Sequence, residues 1–264
     1  MVLPESNGVG LSTGAFGGCE RLQTVEHSEL LTVIGKDAFS DCRMLRELRF
    51  GRDLRRIGEG AFRGCRSLTQ ISLPPCVETL GDGAFAGCWE LERLELEEGL
   101  SLLSAELFRE CISLRELAVP ESVRELPSGV FRDCSALTEL NLPGTLRRLG
   151  GSAFRGCRSL TNVTLGLGTV EIGAFAFSGN PALRRVVIPH SLKRLGFGAF
   201  GLGSTKQKIV LSVDSEYMCK RLQRQLVLCG SAGRAVVQFE GKTLEERKRE
   251  RRRQFLDQKG AHIS

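Results

Sequence analysis

The sequence predicts a β-rich solenoid of nine stacked 23-residue coils, and three observations carry that expectation. Phe16, Phe39, Phe62, Phe85, Phe108, Phe131, Phe154, Phe177 and Phe200 recur every 23 residues with no insertion between them. Three residues after each Phe stands Cys19, Cys42, Cys65, Cys88, Cys111, Cys134 or Cys157, then Asn180 and Gly203 in the last two coils. Six residues after each Phe comes a leucine, from Leu22 to Leu183, until Lys206 breaks the series. A fixed period of this size is the mark of a repeat architecture in which each unit is one supersecondary element.

Within a coil the elements follow in order. Apolar residues at nine and eleven positions after the Phe, such as Leu94 with Leu96 and Leu140 with Leu142, complete an L-x-x-L-x-L strand. Pro74, Pro120, Pro143 or Pro189 often follows and ends pairing, because proline has no N–H to give a ladder. A second apolar pair then leads to Ile34, Ile57, Leu80, Leu103, Leu126, Leu149, Ile172 or Leu195, and a glycine usually turns the chain. At the N-terminus Leu11 falls on the second apolar position and Val2-Leu3-Pro4 resembles a strand end, so the sequence is expected to open partway through a coil, either because upstream residues are missing from it or, the favoured reading, because a partner or an added strand covers that end.

Stacking is what makes such coils stable. Six or so inward side chains contribute ~1.5–3 kcal/mol each on burial, against an ordering cost near ~1.5 kcal/mol per residue. One coil alone cannot fold, whereas neighbours that close each other's apolar faces can. At roughly 4.8 Å between strands, nine coils give a sheet about 40 Å long.

The repeat C-x-x-L-x-x-(I/L)-x-L-P-x-x-(L/V)-x-x-I-G-x-x-A-F-x-x-C resembles the BspA-like class of leucine-rich repeats over residues 11–211. The resemblance implies a curved, right-handed leucine-rich-repeat solenoid with a parallel sheet. It also implies the settings of that class, surface antigens and intracellular proteins that bind other macromolecules, and it implies no reaction.

Three regions are expected: the solenoid over residues 1–211, a C-terminal cap over 212–241 and a basic helical tail over 242–264. In the cap, Asp214 or Ser215 begins a helix with Met218, Leu222, Leu226 and Cys229 on one face, and Ala235-Val236-Val237-Gln238-Phe239 reads as one more strand. In the tail, Thr243 with Glu246 forms a capping box opening a helix over 244–258.

The side chains that could carry chemistry have structural readings beside the functional ones. Stacked thiols suggest metal or redox chemistry, yet seven cannot all pair, stacked Cβ vectors run parallel, and no C-x-x-C occurs. A turn-stabilising role, which Asn180 could also fill, accounts for them better. His27, His190 and His262 are scattered, so nothing converges as catalysis requires. No enzyme activity, cofactor, metal or small-molecule substrate is expected. The sequence contains no apolar run long enough to span a membrane and opens without a signal-peptide pattern, so a reducing, intracellular compartment is expected.

Contact surfaces are better marked. Outward strand positions lie eight and ten residues after each Phe and include Glu47, Arg49, Arg93, Glu95, Glu116, Glu139 and Arg185, a candidate protein-binding face that is mixed or acidic before it turns basic. Val187 and Val210 are expected side by side at the far end of that face, against the cap. Along the turn edge, Arg63, Arg66, Arg109, Arg132, Arg155 and Arg158 could align with phosphates, diluted by Glu110 and Asp133, and Trp89 is a candidate anchor. The tail concentrates Lys242, Arg247, Lys248, Arg249, Arg251, Arg252 and Arg253. These would suit RNA, an acidic protein or nuclear import, with salt dependence as the sign of phosphate binding. The leading expectation is a non-catalytic protein-interaction scaffold, a subunit of a larger assembly. The alternatives are an RNA-associated subunit and a surface antigen or adhesin.

Overall fold

The computed structural model describes residues 10–26, 31–96, 100, 102–201, 208–213 and 215–239. They form a parallel-strand solenoid with two kinds of strand per coil, here numbered β1 to β17 in chain order. The longer strands are Thr24–Glu26 (β1), Glu47–Arg49 (β3), Gln70–Ser72 (β5), Arg93–Glu95 (β7), Glu116–Ala118 (β8), Glu139–Asn141 (β10), Asn162–Thr164 (β12), Arg185–Val187 (β14) and Ile209–Val213 (β16). The two-residue strands are Val33–Ile34 (β2), Arg56–Ile57 (β4), Thr79–Leu80 (β6), Glu125–Leu126 (β9), Arg148–Leu149 (β11), Glu171–Ile172 (β13) and Arg194–Leu195 (β15). A helix, Glu216–Leu228 (α1), and a last strand, Ala235–Phe239 (β17), close the described chain.

Equal coil length sets the register, because residue i lies beside residue i+23, as in Thr24 beside Glu47 and Arg148 beside Glu171. Each coil turns its Phe inward, and the nine rings form one column with centroids 5.2–5.9 Å apart and planes within 3–11° of parallel. The backbone ties the same segments together: the Phe39 N–H donates to the Ala61 carbonyl at 2.7 Å, and the Phe108 N–H to the Val130 carbonyl at 2.9 Å. The recurring leucines and isoleucines fill the space between this column and the strands, where Leu45, Leu68, Leu91, Leu114, Leu137 and Leu160 are wholly buried.

Two details of the turns follow from this close stacking. The residues two before each Phe, and two after each Phe from Phe16 to Phe177, lie in the left-handed region, which glycine fills at Gly60, Gly64, Gly83 and Gly87, while Asp37, Asp41, Glu106, Glu110 and Asp133 occupy equivalent positions in other coils. The glycine that ends the two-residue strand has a different cause, since a Cβ on Gly81 would fall against the backbone of Glu59 in the preceding coil.

The ladders are not continuous. The longer strands bond as β1 with β3, β5 with β7 and β8 with β10, then as the four-stranded run β12-β14-β16-β17. The shorter ones form β2-β4-β6 and β9-β11-β13-β15, because residues 102–103 adopt no strand. Between β7 and β8, therefore, the column of rings and the turn-segment hydrogen bonds carry the stacking.

The C-terminal end corrects one expectation. β14 pairs with β16 as Arg185 beside Val210 and Val187 beside Ser212, so the last coil holds two residues more than the regular repeat between its Phe and its strand. Val187 therefore meets Ser212 and not Val210. The physical reason is that the leucine and cysteine positions, which fix the length of this arc elsewhere, are Lys206 and Gly203 here. Ser215 caps α1 by accepting the Met218 N–H at 3.2 Å, and Met218, Leu222 and Leu226 form its buried face. β17 then pairs in parallel with β16 over five residues, which extends the sheet past residue 211.

Candidate partner-binding surfaces

Strand alternation places Leu48, Leu94, Leu117 and Leu140 toward the core and leaves Glu47, Arg49, Arg93, Glu95, Glu116, Glu139 and Arg185 exposed on the sheet. Arg49 reaches Glu26 across the first pair of coils at 4.0 Å, a distance and exposure that make it a weak surface pair. Where β7 and β8 are not bonded to each other, a cleft of about 550 Å³ opens on this face. Its walls carry Glu92, Arg93 and Glu95 from one coil and Arg115 and Glu116 from the next. The structure thus brings together three of the expected contact residues. It adds Glu92 and Arg115, whose signal in the sequence was their own 23-residue spacing one position before the outward row.

At the turn edge, carboxylates stand against two of the six arginines. Arg109 lies 3.2 Å from Glu106 and 2.9 Å from Glu110, and Arg132 lies 3.2 Å from Asp133, so carboxylates already hold both guanidiniums. Arg66 stacks over the Trp89 ring at 4.0 Å, which makes Trp89 a platform for a guanidinium within its own surface, with the ring still 38% exposed. Arg63, Arg66, Trp89 and Arg109 line a second groove of about 490 Å³ together with Glu106 and Glu110. Arg155 and Arg158 are exposed further along. Lys242, Arg247, Lys248, Arg249, Arg251, Arg252 and Arg253, along with His27 and His262, lie outside the described residues, while His190 is exposed in a turn.

On the face of the two-residue strands, an ion-pair row runs across four coils. Arg148 lies 3.8 Å from Glu125 and 3.5 Å from Glu171, and Arg194 lies 2.6 Å from Glu171. Alternating signs at one repeat position make successive coils attract each other.

The cysteines serve the turns. Cys42, Cys65, Cys88, Cys111, Cys134 and Cys157 are fully buried, and each thiol donates at 3.2–3.5 Å to the carbonyl of the Phe one coil back. Asn180 makes the same bond with its Nδ2, to Phe154 O at 3.0 Å, so an amide does there what a thiol does elsewhere. All ten cysteines are unpaired. Burial lifts the Cys42 thiol from its ordinary 9.0 to about 11, and those of Cys88 and Cys134 to about 12. Burial first, then the charges of adjacent thiols in the column, raises Cys65, Cys111 and Cys157 well above 9.0. Thiols held protonated are poor nucleophiles and poor metal ligands. Among the described residues, no group of three or more His, Cys, Asp or Glu side chains is placed to hold a metal ion, and no helix is long and apolar enough to cross a membrane. Alkylation of the folded chain at neutral pH should therefore reach Cys19, Cys76 and Cys219 well before the six column thiols. Peptide mapping by mass spectrometry checks this, and labelling of Cys88 or Cys111 at the same rate as Cys19 would contradict it.

Comparison with known proteins bears on this geometry. A family model described as the BspA type leucine rich repeat region matches residues 10–138 and 124–222 in six copies. No curated protein matches the chain in sequence. Among solved structures, the chain is similar to a leucine rich repeat protein of T. pallidum at 31% identity and a TM-score of 0.56, over 60% of this chain and 76% of that one. A leucine rich cell surface protein of Faecalibacterium prausnitzii matches at 23% identity and a TM-score of 0.51, over 88% of this chain and 63% of that one. A leucine-rich repeat protein of Bacteroides ovatus matches at 18% identity and a TM-score of 0.48, over 89% and 88%. With the repeat model covering most of its length and nine coils stacked as that repeat requires, the chain belongs to the BspA-type leucine-rich-repeat family.

Proposed function

We propose that the chain is a non-catalytic protein-binding scaffold, a subunit of a larger intracellular assembly, whose exposed sheet receives its partner at the cleft between β7 and β8. The observation that carries this reading is the cleft itself: Arg93 and Arg115 stand among Glu92, Glu95 and Glu116, on two strands whose facing edges do not bond to each other. Charges of both signs at fixed spacing set register and partner choice more than they add raw affinity, as specific protein interfaces require. Leucine-rich repeats generally serve as protein-interaction scaffolds, which supports the class of function. The column of unpaired thiols suits a reducing compartment.

The test is affinity purification of the full chain from its native cell, with and without nuclease, followed by mass spectrometry. The double charge reversal Arg93→Glu with Glu116→Lys should lower recovery of the specific partner by about tenfold or more, the effect of losing one strong contact of roughly 1.4 kcal/mol. Undiminished recovery would place the interface elsewhere. Recovery abolished by nuclease would replace the protein partner with RNA, and recovery abolished by deletion of residues 242–264 alone would move the interface to the tail.

A further inference from the structure

The last two coils and α1 enclose a surface that the repeat pattern does not predict. At the position three residues before each Phe, coils two to eight carry Lys36, Glu59, Asp82, Ala105, Ser128, Gly151 and Ala174, all small or polar, and the ninth carries Phe197. That ring is 54% exposed and packs edge-on against Phe175 at 5.5 Å. Phe175 occupies a left-handed position, φ +57°, which other coils fill with glycine, serine or an acidic residue. A bulky residue there is a real outlier, and such strain tends to persist where function requires the side chain. Across from Phe197, Leu228 at the end of α1 is 83% exposed, and the two line a groove of about 430 Å³ together with Lys193, Arg194 and Gln225. The walls are tied to each other: Gln225 Nε2 donates to Lys193 O at 2.7 Å and the Gly198 N–H to Cys229 O at 2.6 Å, so the groove is preformed.

Charge identifies what it takes. The described residues from 171 to 239 include nine lysines and arginines and two carboxylates, Glu171, which also lines the groove, and Glu216, which faces Lys220 at 3.4 Å. In the groove Arg194 is engaged by Glu171, while the exposed Lys193 makes no ion pair among the described residues. A positive field draws an acidic partner, and exposed apolar anchors hold it. Leu228, and Val227 beside it at 68% exposure, offer no donor to a phosphate backbone, which favours polypeptide over nucleic acid. Two copies of the chain meeting at this end would bring like charges together.

We infer that this groove is a second docking site, separate from the sheet, for an acidic polypeptide segment that inserts an apolar side chain between Phe197 and Leu228 and sets carboxylates against Lys193. The test uses the full chain and three fluorescent synthetic peptides: one with a Leu-Phe pair flanked by Asp and Glu, one with that pair replaced by Ser, and one with Lys in place of the acids. The first should bind, and the other two should bind about tenfold more weakly or worse. Leu228→Ser and Lys193→Glu should each weaken the first by a similar factor, and Arg93→Glu on the sheet should leave it unchanged. Both side chains project into solvent, and circular dichroism confirms that the variants fold. The inference is overturned if the Lys peptide binds as well as the acidic one or if neither groove variant changes binding. It is also overturned if phosphatidylserine vesicles, polyuridine RNA or self-association in sedimentation proves to be what the same variants abolish.

Discussion

Phe108→Ala should cost about 3–5 kcal/mol and split the unfolding of the solenoid into two transitions. The ring is fully buried at the centre of the column, 5.7 Å from Phe85 and 5.6 Å from Phe131, and its removal leaves a cavity that two coils held by backbone bonds cannot close. The cost would fall where continuity is already thinnest. β7 and β8 do not pair, and residues 102–103 supply no short strand between β6 and β9. In a structure whose stability is a sum of nearest-neighbour terms, weakening one junction lets the two sides unfold separately. The single tryptophan makes the split visible, because Trp89 lies on the N-terminal side of the junction. In urea, Trp89 fluorescence and far-ultraviolet circular dichroism should coincide for the parent chain and separate for the variant. Coincident curves with a loss under about 1 kcal/mol would show that the column does not carry this junction.

Those same residues show how far the sequence could be read. The column was legible because an inward Phe in one coil must meet an inward Phe in the next, and the spacing of nine rings leaves no other register. The turn role of the cysteines was legible from Asn180, since only a shared hydrogen bond makes a thiol and an amide interchangeable, and the bonds to the Phe carbonyls supply it. The helix was legible from Ser215 and the spacing of Met218, Leu222 and Leu226. The pairwise opening of the sheet was not. Residues that look alike in every coil carry no mark of it. The shifted strand of the last coil escaped a count anchored on Phe200, although the loss of leucine at Lys206 was the available warning. The groove at the cap escaped for a related reason, because aligning coils on their apolar core draws attention away from Phe175 and Phe197, which lie between the core positions. As for the arginines of the turn edge, the diluting Glu110 and Asp133 were legible, but Glu106 was not, nor that the three stand close enough to hold two of the guanidiniums, which a row of charges read in one dimension does not reveal.

Alkali should weaken the fold progressively above pH 9, through the thiol column. In the folded state burial keeps the Cys42 thiol protonated to about pH 11 and those of Cys88 and Cys134 to about pH 12, with Cys65, Cys111 and Cys157 shifted the same way. Unfolding exposes all six, and each returns to an ordinary value of 9.0. Below pH 9 both states hold these protons and the fold has its full stability. Above it the unfolded chain releases protons that the folded chain must retain, so stability falls as pH rises toward the folded values. Cys42, Cys88 and Cys134 each give up about 1.4 kcal/mol by pH 10, ~4 kcal/mol together, and Cys65, Cys111 and Cys157 add to the loss in the same direction, against the roughly 5–15 kcal/mol that holds an ordinary domain together. Unfolding free energies from urea titrations at intervals between pH 8 and pH 10.5 test this, with reversal on return to neutral pH showing that no covalent damage intervened. Cys134→Ala removes one of the titrating groups, so its stability should decline less steeply, by up to about 1.4 kcal/mol per pH unit above pH 9, whatever its value at neutral pH. A flat profile to pH 10.5, or a variant with the same slope as the parent, would mean that solvent reaches the column and that its thiols ionise inside the fold.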